Sequence, residues 1–236
     1  IDAKKRIGDD YTKLGKEAEA RKAYQAAADD FDRRGLKSET SPLAAEAAAY
    51  CRFELAEYVF KEFDRLKIGG SSKKLADSFT TKKNFLKKVN DIYGEVFKYK
   101  RLEWTLAALY RRGYALERFA QTIVETPVPP EVKRLGEDAI VTYQDALSQQ
   151  TVTLEDKAVE NYAATLAEAR KNRISNEWTK KTLESLNRFR PKEYPVLKEP
   201  KGRFSAEAAY TEGVVGSLDG PAKPSASPQK LKGDDK

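Results

Sequence analysis

The chain has no histidine, no methionine and a single cysteine, with 13 Gly and 10 Pro in 236 residues. Each scarcity excludes something. Without histidine the commonest general base, the commonest metal ligand and the usual side chain that titrates near neutral pH are all missing. With Cys51 alone no internal disulfide is possible. Its setting, Ala48-Ala49-Tyr50-Cys51-Arg52-Phe53, reads as the apolar side of a helix, where a small thiol is buried and inert. No stretch approaches the roughly 20 apolar residues of a membrane span, and no signal peptide is visible. Because the chain opens at Ile1 rather than Met, a processed or truncated form is expected, and the absence of a visible signal says nothing about a leader, a lipid anchor or further repeats ahead of Ile1.

Motifs of catalysis are equally scarce. There is no Gly-rich phosphate loop, no Gly-x-Ser-x-Gly elbow and no Cys/His metal spacing. Paired carboxylates such as Asp29-Asp30 and Asp234-Asp235 are adjacent in sequence, so they point apart on a helix or are solvated, whereas acid–base work needs two carboxyls facing one cleft. The expectation is a protein that is not an enzyme and takes no cofactor and no metal.

What is present is charge, 34% of residues against 40% hydrophobic, and a net charge of +7. The surplus is regional: Lys61 to Arg118 holds 15 Lys and Arg against 7 Asp and Glu, which leaves −1 for the rest of the chain. A chain of this length can bury roughly 70% or more of its unfolded surface, enough for a core without staples.

Apolar periodicity near 3.6 predicts an all-α fold. Two segments, Ala3 to Gly15 and Lys16 to Arg34, divide at Leu14-Gly15 and stop at Gly35; in the second, Ala20, Tyr24, Ala27 and Phe31 share one face. Ser41-Pro42 caps and starts a helix to about Lys67, Gly69-Gly70 ends it, and Ser71-Ser72 caps the next, about Lys73 to Tyr99. Leu102 to Glu125 follows, then the stiff break Thr126-Pro127-Val128-Pro129-Pro130. Three more helices, Glu131 to Gln149, Leu154 to Lys171 and Asn176 to Phe189, complete about eight, arranged as consecutive hairpins. The helical domain is placed at 1–197 and a Pro/Ser/Lys-rich, low-complexity tail at 198–236, whose apolar handles include Phe204, Tyr210 and Val214.

Leu14-Gly15 followed by Ala20, Tyr24 and Ala27 looks like the second half of a tetratricopeptide repeat, and Ala107-Ala108-Leu109-Tyr110-Arg111-Arg112-Gly113 resembles the first helix of another. A longer ordered run extends the likeness: Glu103-Trp104-Thr105-Leu106 through Arg111, Phe119-Ala120, Pro127-Val128-Pro129, Leu154 to Tyr162, Asn176-Glu177-Trp178-Thr179, and Arg190 to Pro195. Together these resemble the C-terminal part of tetratricopeptide-repeat envelope proteins of myxobacteria and related deltaproteobacteria, including adventurous gliding-motility proteins, over about Ala44 to Lys198. The resemblance implies an α-solenoid of helical hairpins that acts as a non-enzymatic protein-interaction scaffold. It further implies a periplasmic location or the inner face of the outer membrane, with other envelope proteins as partners. Membrane association would run through those partners or through an anchor preceding Ile1. Two departures stand out: Gly35 where the repeat ends in Pro, and a helix Lys73 to Tyr99 longer than a repeat helix.

Candidate partner-binding residues fall in two groups. On the basic helix, Lys83, Lys87 and Lys88 join Lys73 and Lys74 opposite Leu75, Phe79, Leu86, Val89 and Tyr93, with Lys82 the exception on the apolar side. This is the pattern of a solvated face or of a dock for an acidic partner. Nucleic acid or an anionic membrane surface is the alternative ligand, although no helix-turn-helix, RNP-like or zinc module accompanies it. Tyr110 and Tyr114 stand one turn apart beside Arg111 and Arg112, a composition shared by peptide-binding grooves and half-buried helix faces. Trp104 and Trp178, each near a helix start beside a Glu, are expected to pack between repeats.

Overall fold

The computed structural model describes residues 1–195, so the expectations for the tail lie outside the described residues. Within them the chain is all-α and forms one compact body, Ile1–Pro195. Its helices are α1 (Asp2–Lys13), α2 (Glu17–Arg33), α3 (Pro42–Arg65), α4 (Ser72–Gly94), α5 (Leu102–Val124), α6 (Pro130–Lys133), α7 (Glu137–Lys171) and α8 (Glu177–Phe189). A 3-10 turn, Glu95–Tyr99, continues α4.

Three local expectations need correction. The break placed between Gln149 and Leu154 does not exist, and α7 runs unbroken for 35 residues. Thr151, Val152 and Thr153 are β-branched, which costs only a few tenths of a kcal/mol each in a helix, and the buried Thr151 returns its hydroxyl to Ser148 O at 2.7 Å. The real interruption is at Gly136, whose φ of +100° is a conformation that side chains other than glycine's rarely adopt. Secondly, Lys73 to Tyr99 is not one α-helix, because its last five residues tighten into the 3-10 turn. Thirdly, neither Ser41 nor Ser71 makes a side-chain cap; the one capping box belongs to α8, where Asn176 and Thr179 bond reciprocally.

The helices form two rows. Helices α1, α3, α5 and α8 touch in succession, and α2, α4 and α7 each pack between two neighbours of that inner row rather than on one another. Helix α3, buried on most of its circumference, is the centre, and Phe53, Phe60 and Phe63 from it meet Tyr93, Tyr99 and Phe119 in the largest core cluster.

One packing device recurs in all three hairpins. An outer-row helix buries a tyrosine between two small or β-branched residues spaced four before and three after it: Ala20/Tyr24/Ala27, Val89/Tyr93/Val96 and Ala158/Tyr162/Thr165, all at most 1% exposed. Each tyrosine donates its hydroxyl to a carboxylate on the inner helix of its own hairpin. Tyr24 reaches Asp9 at 2.9 Å, Tyr93 reaches Glu57, and Tyr162 reaches Glu117 at 2.7 Å. In the first and third hairpins the ring lies against a glycine. A Cβ at Gly8 would stand 2.4 Å from Tyr24 Cε1, and one at Gly113 would stand 2.8 Å from Tyr162 Cε1. Burial of a phenol leaves its hydroxyl in need of a partner, and a charged acceptor supplies a stronger bond than a neutral one.

Lys82, the exception in the basic helix, is fully buried. Its ammonium donates to Leu66 O at 2.5 Å and lies 4.9 Å from the Phe63 ring, so it closes the exposed carbonyl end of α3. Burial lowers its pKa, and the Asp64 charge opposes that shift. Cys51 is also fully buried, and desolvation pushes its thiol up to about 12, as expected of an inert core cysteine.

Candidate interaction surface

The inner row gathers the half-buried aromatic and charged side chains of the body along one face. From α1, Lys5 sits 4.1 Å from the ring of Tyr50 on α3. Tyr50 meets Trp104 of α5 edge-on with centroids 5.0 Å apart. Phe53 then contacts Trp104 at 5.5 Å and Trp178 of α8 at 5.4 Å. Tyr50, Trp104 and Trp178 are each half-buried, which leaves part of every ring for another molecule.

The charges of this face are nearly all matched. Asp9 accepts from Lys5 at 2.8 Å, Tyr24 at 2.9 Å and Tyr50 at 2.8 Å. Burial acts to raise its pKa, but those donors outweigh it and hold the carboxyl below its ordinary value. Glu46 accepts Arg101 Nε at 2.8 Å and Trp104 Nε1 at 2.6 Å. Glu57 takes Arg111 at 2.6 Å on one oxygen and Tyr93 on the other. Glu54 is different: among the described residues it has no hydrogen-bond or ion-pair partner. Desolvation, with the Glu57 and Asp9 charges, pushes its carboxyl up to about 7.

Of the candidate residues read from the sequence, Tyr110 is only 8% exposed and packs on Tyr114, Tyr162 and Trp178, so it is a core residue of the α5–α7–α8 junction rather than a groove wall. Arg111 is half-buried. Its guanidinium is ion-paired to Glu57 and lies 5.2 Å from Phe60, 5.6 Å from Tyr114 and 5.9 Å from Trp178. Tyr114 packs on Phe60 at 5.7 Å. Lys83, Lys87 and Lys88 are exposed on α4 in the outer row, away from this face, and the two groups do not form one site. Trp104 and Trp178 both pack on Phe53 of α3 and also keep surface on the inner row.

No protein-family model, curated protein or solved structure matches the chain. The chemistry of the face therefore stands on its own geometry. Among the described residues no group of three or more Cys, Asp and Glu gathers to hold a metal ion, and no helix is long and apolar enough to cross a membrane.

Sequence reasoning missed Tyr50, Glu54 and Glu57. Their signal was present: Tyr50, Glu54, Glu57 and Lys61 follow at steps of four, three and four, a polar stripe on a helix otherwise buried nearly all round. At the upper end of the face, Leu36, Glu46, Tyr50 and Trp104 also line an open cleft of about 520 Å³.

Proposed function

We propose that this protein is a non-enzymatic interaction scaffold, an α-solenoid of tetratricopeptide type that receives a segment of a partner along its inner row of helices. The observation that carries this reading is the aromatic line drawn from three inner helices, in which the half-buried Tyr50, Trp104 and Trp178 gather around the buried Phe53. Aromatic anchors flanked by pre-ordered charges are the composition of protein-binding hot spots. Ion pairs already made in the free protein lower the ordering cost of binding.

The order of packing supports the solenoid reading, since each outer helix bridges two successive inner ones. So does the first hairpin, where Ile7-Gly8-x-x-Tyr11 and Ala20-x-x-x-Tyr24 fall at the spacings of the repeat signature. The resemblance of Ala44 to Lys198 extends the proposal to an assembly in the bacterial envelope of the gliding-motility kind, in the periplasm or at the inner face of the outer membrane.

A photo-crosslinking amino acid placed at Tyr11 or Lys181, two rim positions of the inner face, tests both parts in cells that carry the native protein. Envelope proteins captured from these positions, and lost on Tyr50→Ala, are the expected result. Capture of cytosolic proteins alone overturns the location, and capture that is indifferent to Tyr50→Ala overturns the face.

A further inference from the structure

Helix α4 is a ridge between two grooves of the outer face. On one side α2 and α4 flank Leu55 and Val59 of α3, with Lys88 on the rim; on the other, α4 and α7 flank the end of α5. The second groove is the deeper in chemistry. Leu75 and Phe79 of α4, Ile123 of α5, and Tyr143 and Leu147 of α7 enclose an open apolar cleft of about 370 Å³. Tyr143 leaves its hydroxyl buried with no hydrogen-bond partner among the described residues, so one polar group in the cleft wall lacks an acceptor.

Helices α4 and α7 run in the same direction. Phe79 meets Phe119 while Phe97, just beyond α4, meets Arg112, and Gly113 meets Tyr162 while Ile123 shares the cleft with Tyr143 and Leu147. Each is therefore antiparallel to α5. Continuing along the two walls from the cleft, Ala76, Thr80, Lys83 and Lys87 follow at steps of four, three and four on α4, and Ala146, Gln150, Thr153 and Lys157 do so on α7. All eight are exposed. The cleft itself ends at Thr80 and Gln150, and the same two helix faces continue from it to Lys83, Lys87 and Lys157. Among the described residues none of these three lysines has an ion-pair partner, in contrast to Lys98, Arg101, Arg111 and Arg118, which are all paired. Two exposed carboxylates stand near them on the helix surfaces, Asp91 one turn beyond Lys87 and Glu160 three residues beyond Lys157, and neither forms an ion pair with them among the described residues.

We propose that the groove between α4 and α7 docks an acidic segment of a partner protein, its large apolar side chains seated against Phe79 and Leu147 and its carboxylates against Lys83, Lys87 and Lys157. The charge is complementary only to an acidic ligand, and the apolar cleft continuous with it favours a protein segment with hydrophobic anchors over a polyanion that has none. This surface is separate from the inner row and does not depend on what binds there.

Peptide display with a random 12-residue library against the immobilised full chain tests the assignment. The expected pool is enriched in Asp and Glu beside Leu or Phe, and a synthetic peptide of the leading sequence binds the wild type. Its Kd rises about tenfold or more on Lys83→Glu/Lys87→Glu, and about severalfold between 50 and 200 mM salt, the mark of charge pairing. Leu147→Ser weakens binding while leaving the salt slope unchanged, whereas Lys5→Ala on the inner row changes neither. A pool without acidic bias, or one recovered equally by the Lys83→Glu/Lys87→Glu variant, overturns the proposal. Co-sedimentation with phosphatidylglycerol vesicles that this variant abolishes, in the absence of any acidic peptide selection, overturns it in favour of a membrane surface.

Discussion

The inner and outer rows use the same kinds of side chain in opposite ways. On the inner row Lys5, Arg101 and Arg111 each have a carboxylate partner, and the carboxylates in turn hold Tyr24, Tyr50, Tyr93 or Trp104. On the outer row the lysines of α4 are exposed with no ion-pair partner among the described residues, apart from Lys82, which has turned inward to Leu66 O. The first arrangement fixes shape before any ligand arrives, so selectivity there rests on fit. The second leaves a field and little structure, so selectivity there rests on charge and fades with salt. The regional surplus of positive charge seen in the sequence is thus concentrated in effect, because the cations after Phe97 are mostly spent on internal pairs.

The largest expected effect strikes the inner row. Glu57→Ala removes the acceptor of a half-buried guanidinium and of the fully buried Tyr93 hydroxyl together, and breaking such a pair from one side costs about 3 kcal/mol. Urea denaturation at pH 7.5 measures it. A loss under ~1 kcal/mol would mean that the inner charges are as loosely held as the outer ones and would erase the contrast.

Glycine substitutions come next. Gly113→Ala drives a Cβ to 2.8 Å from Tyr162 Cε1 and 3.3 Å from the carbonyl of Ala158, and is expected to cost about 2 kcal/mol because neither the fully buried ring nor the backbone can withdraw. Gly94→Ala, where a Cβ meets nothing within 4 Å and the backbone is helical, is expected to stabilise by about 0.5–1 kcal/mol. Opposite signs for the two in thermal unfolding would show that the close approach of rows, and not helix propensity, decides which glycines are needed.

Much of this was legible from residues alone. The helices, the loop prolines and the face Ala20, Tyr24, Ala27 all follow from local periodicity and breakers, which depend on neighbours in sequence. The misjudged features depend on neighbours in space. Tyr110 and Tyr114 had the composition of a groove, and only the arrival of α7 and α8 turned Tyr110 into core. Lys82 was marked as lying on the apolar side but not as buried, since its acceptor is sixteen residues away, just past the end of α3. The break expected between Gln149 and Leu154 is absent, because the β-branched Thr151, Val152 and Thr153 merely lower helix propensity and α7 runs through them. Of the inner face, the two tryptophans stood out as packing residues, whereas the stripe Tyr50, Glu54, Glu57 was hidden by the apolar residues that surround it on α3.

Glu54 provides a pH readout of the inner row. Its folded-state value near 7 lies above the ordinary 4.5, so the folded state binds the proton more tightly than the unfolded chain. The stability tied to this carboxyl is then complete below about pH 4.5 and is lost as pH rises through 7. Glu54→Gln, which keeps the shape and cannot ionise, is expected to be about 1–2 kcal/mol more stable than the wild type at pH 8.5 and nearly equal to it at pH 5. A constant difference between the two proteins over that range would show that Glu54 titrates as a solvated side chain.

The smallest effect completes the contrast. Lys83→Ala/Lys87→Ala removes two exposed cations that have no ion-pair partner among the described residues, so the change in unfolding free energy is expected to stay within about 0.5 kcal/mol. Its sign is informative. If the lysines of α4 repel one another across a turn, as Lys83 and Lys87 are spaced to do, their removal stabilises slightly at low salt and the gain vanishes near 1 M salt. A loss of stability instead would mean that the lysine stems cover apolar surface along the groove and contribute by packing. Measurement of the double variant by urea denaturation at about 20 mM and 1 M NaCl separates the two, and so tells whether this side of the molecule is held open by charge or closed by it.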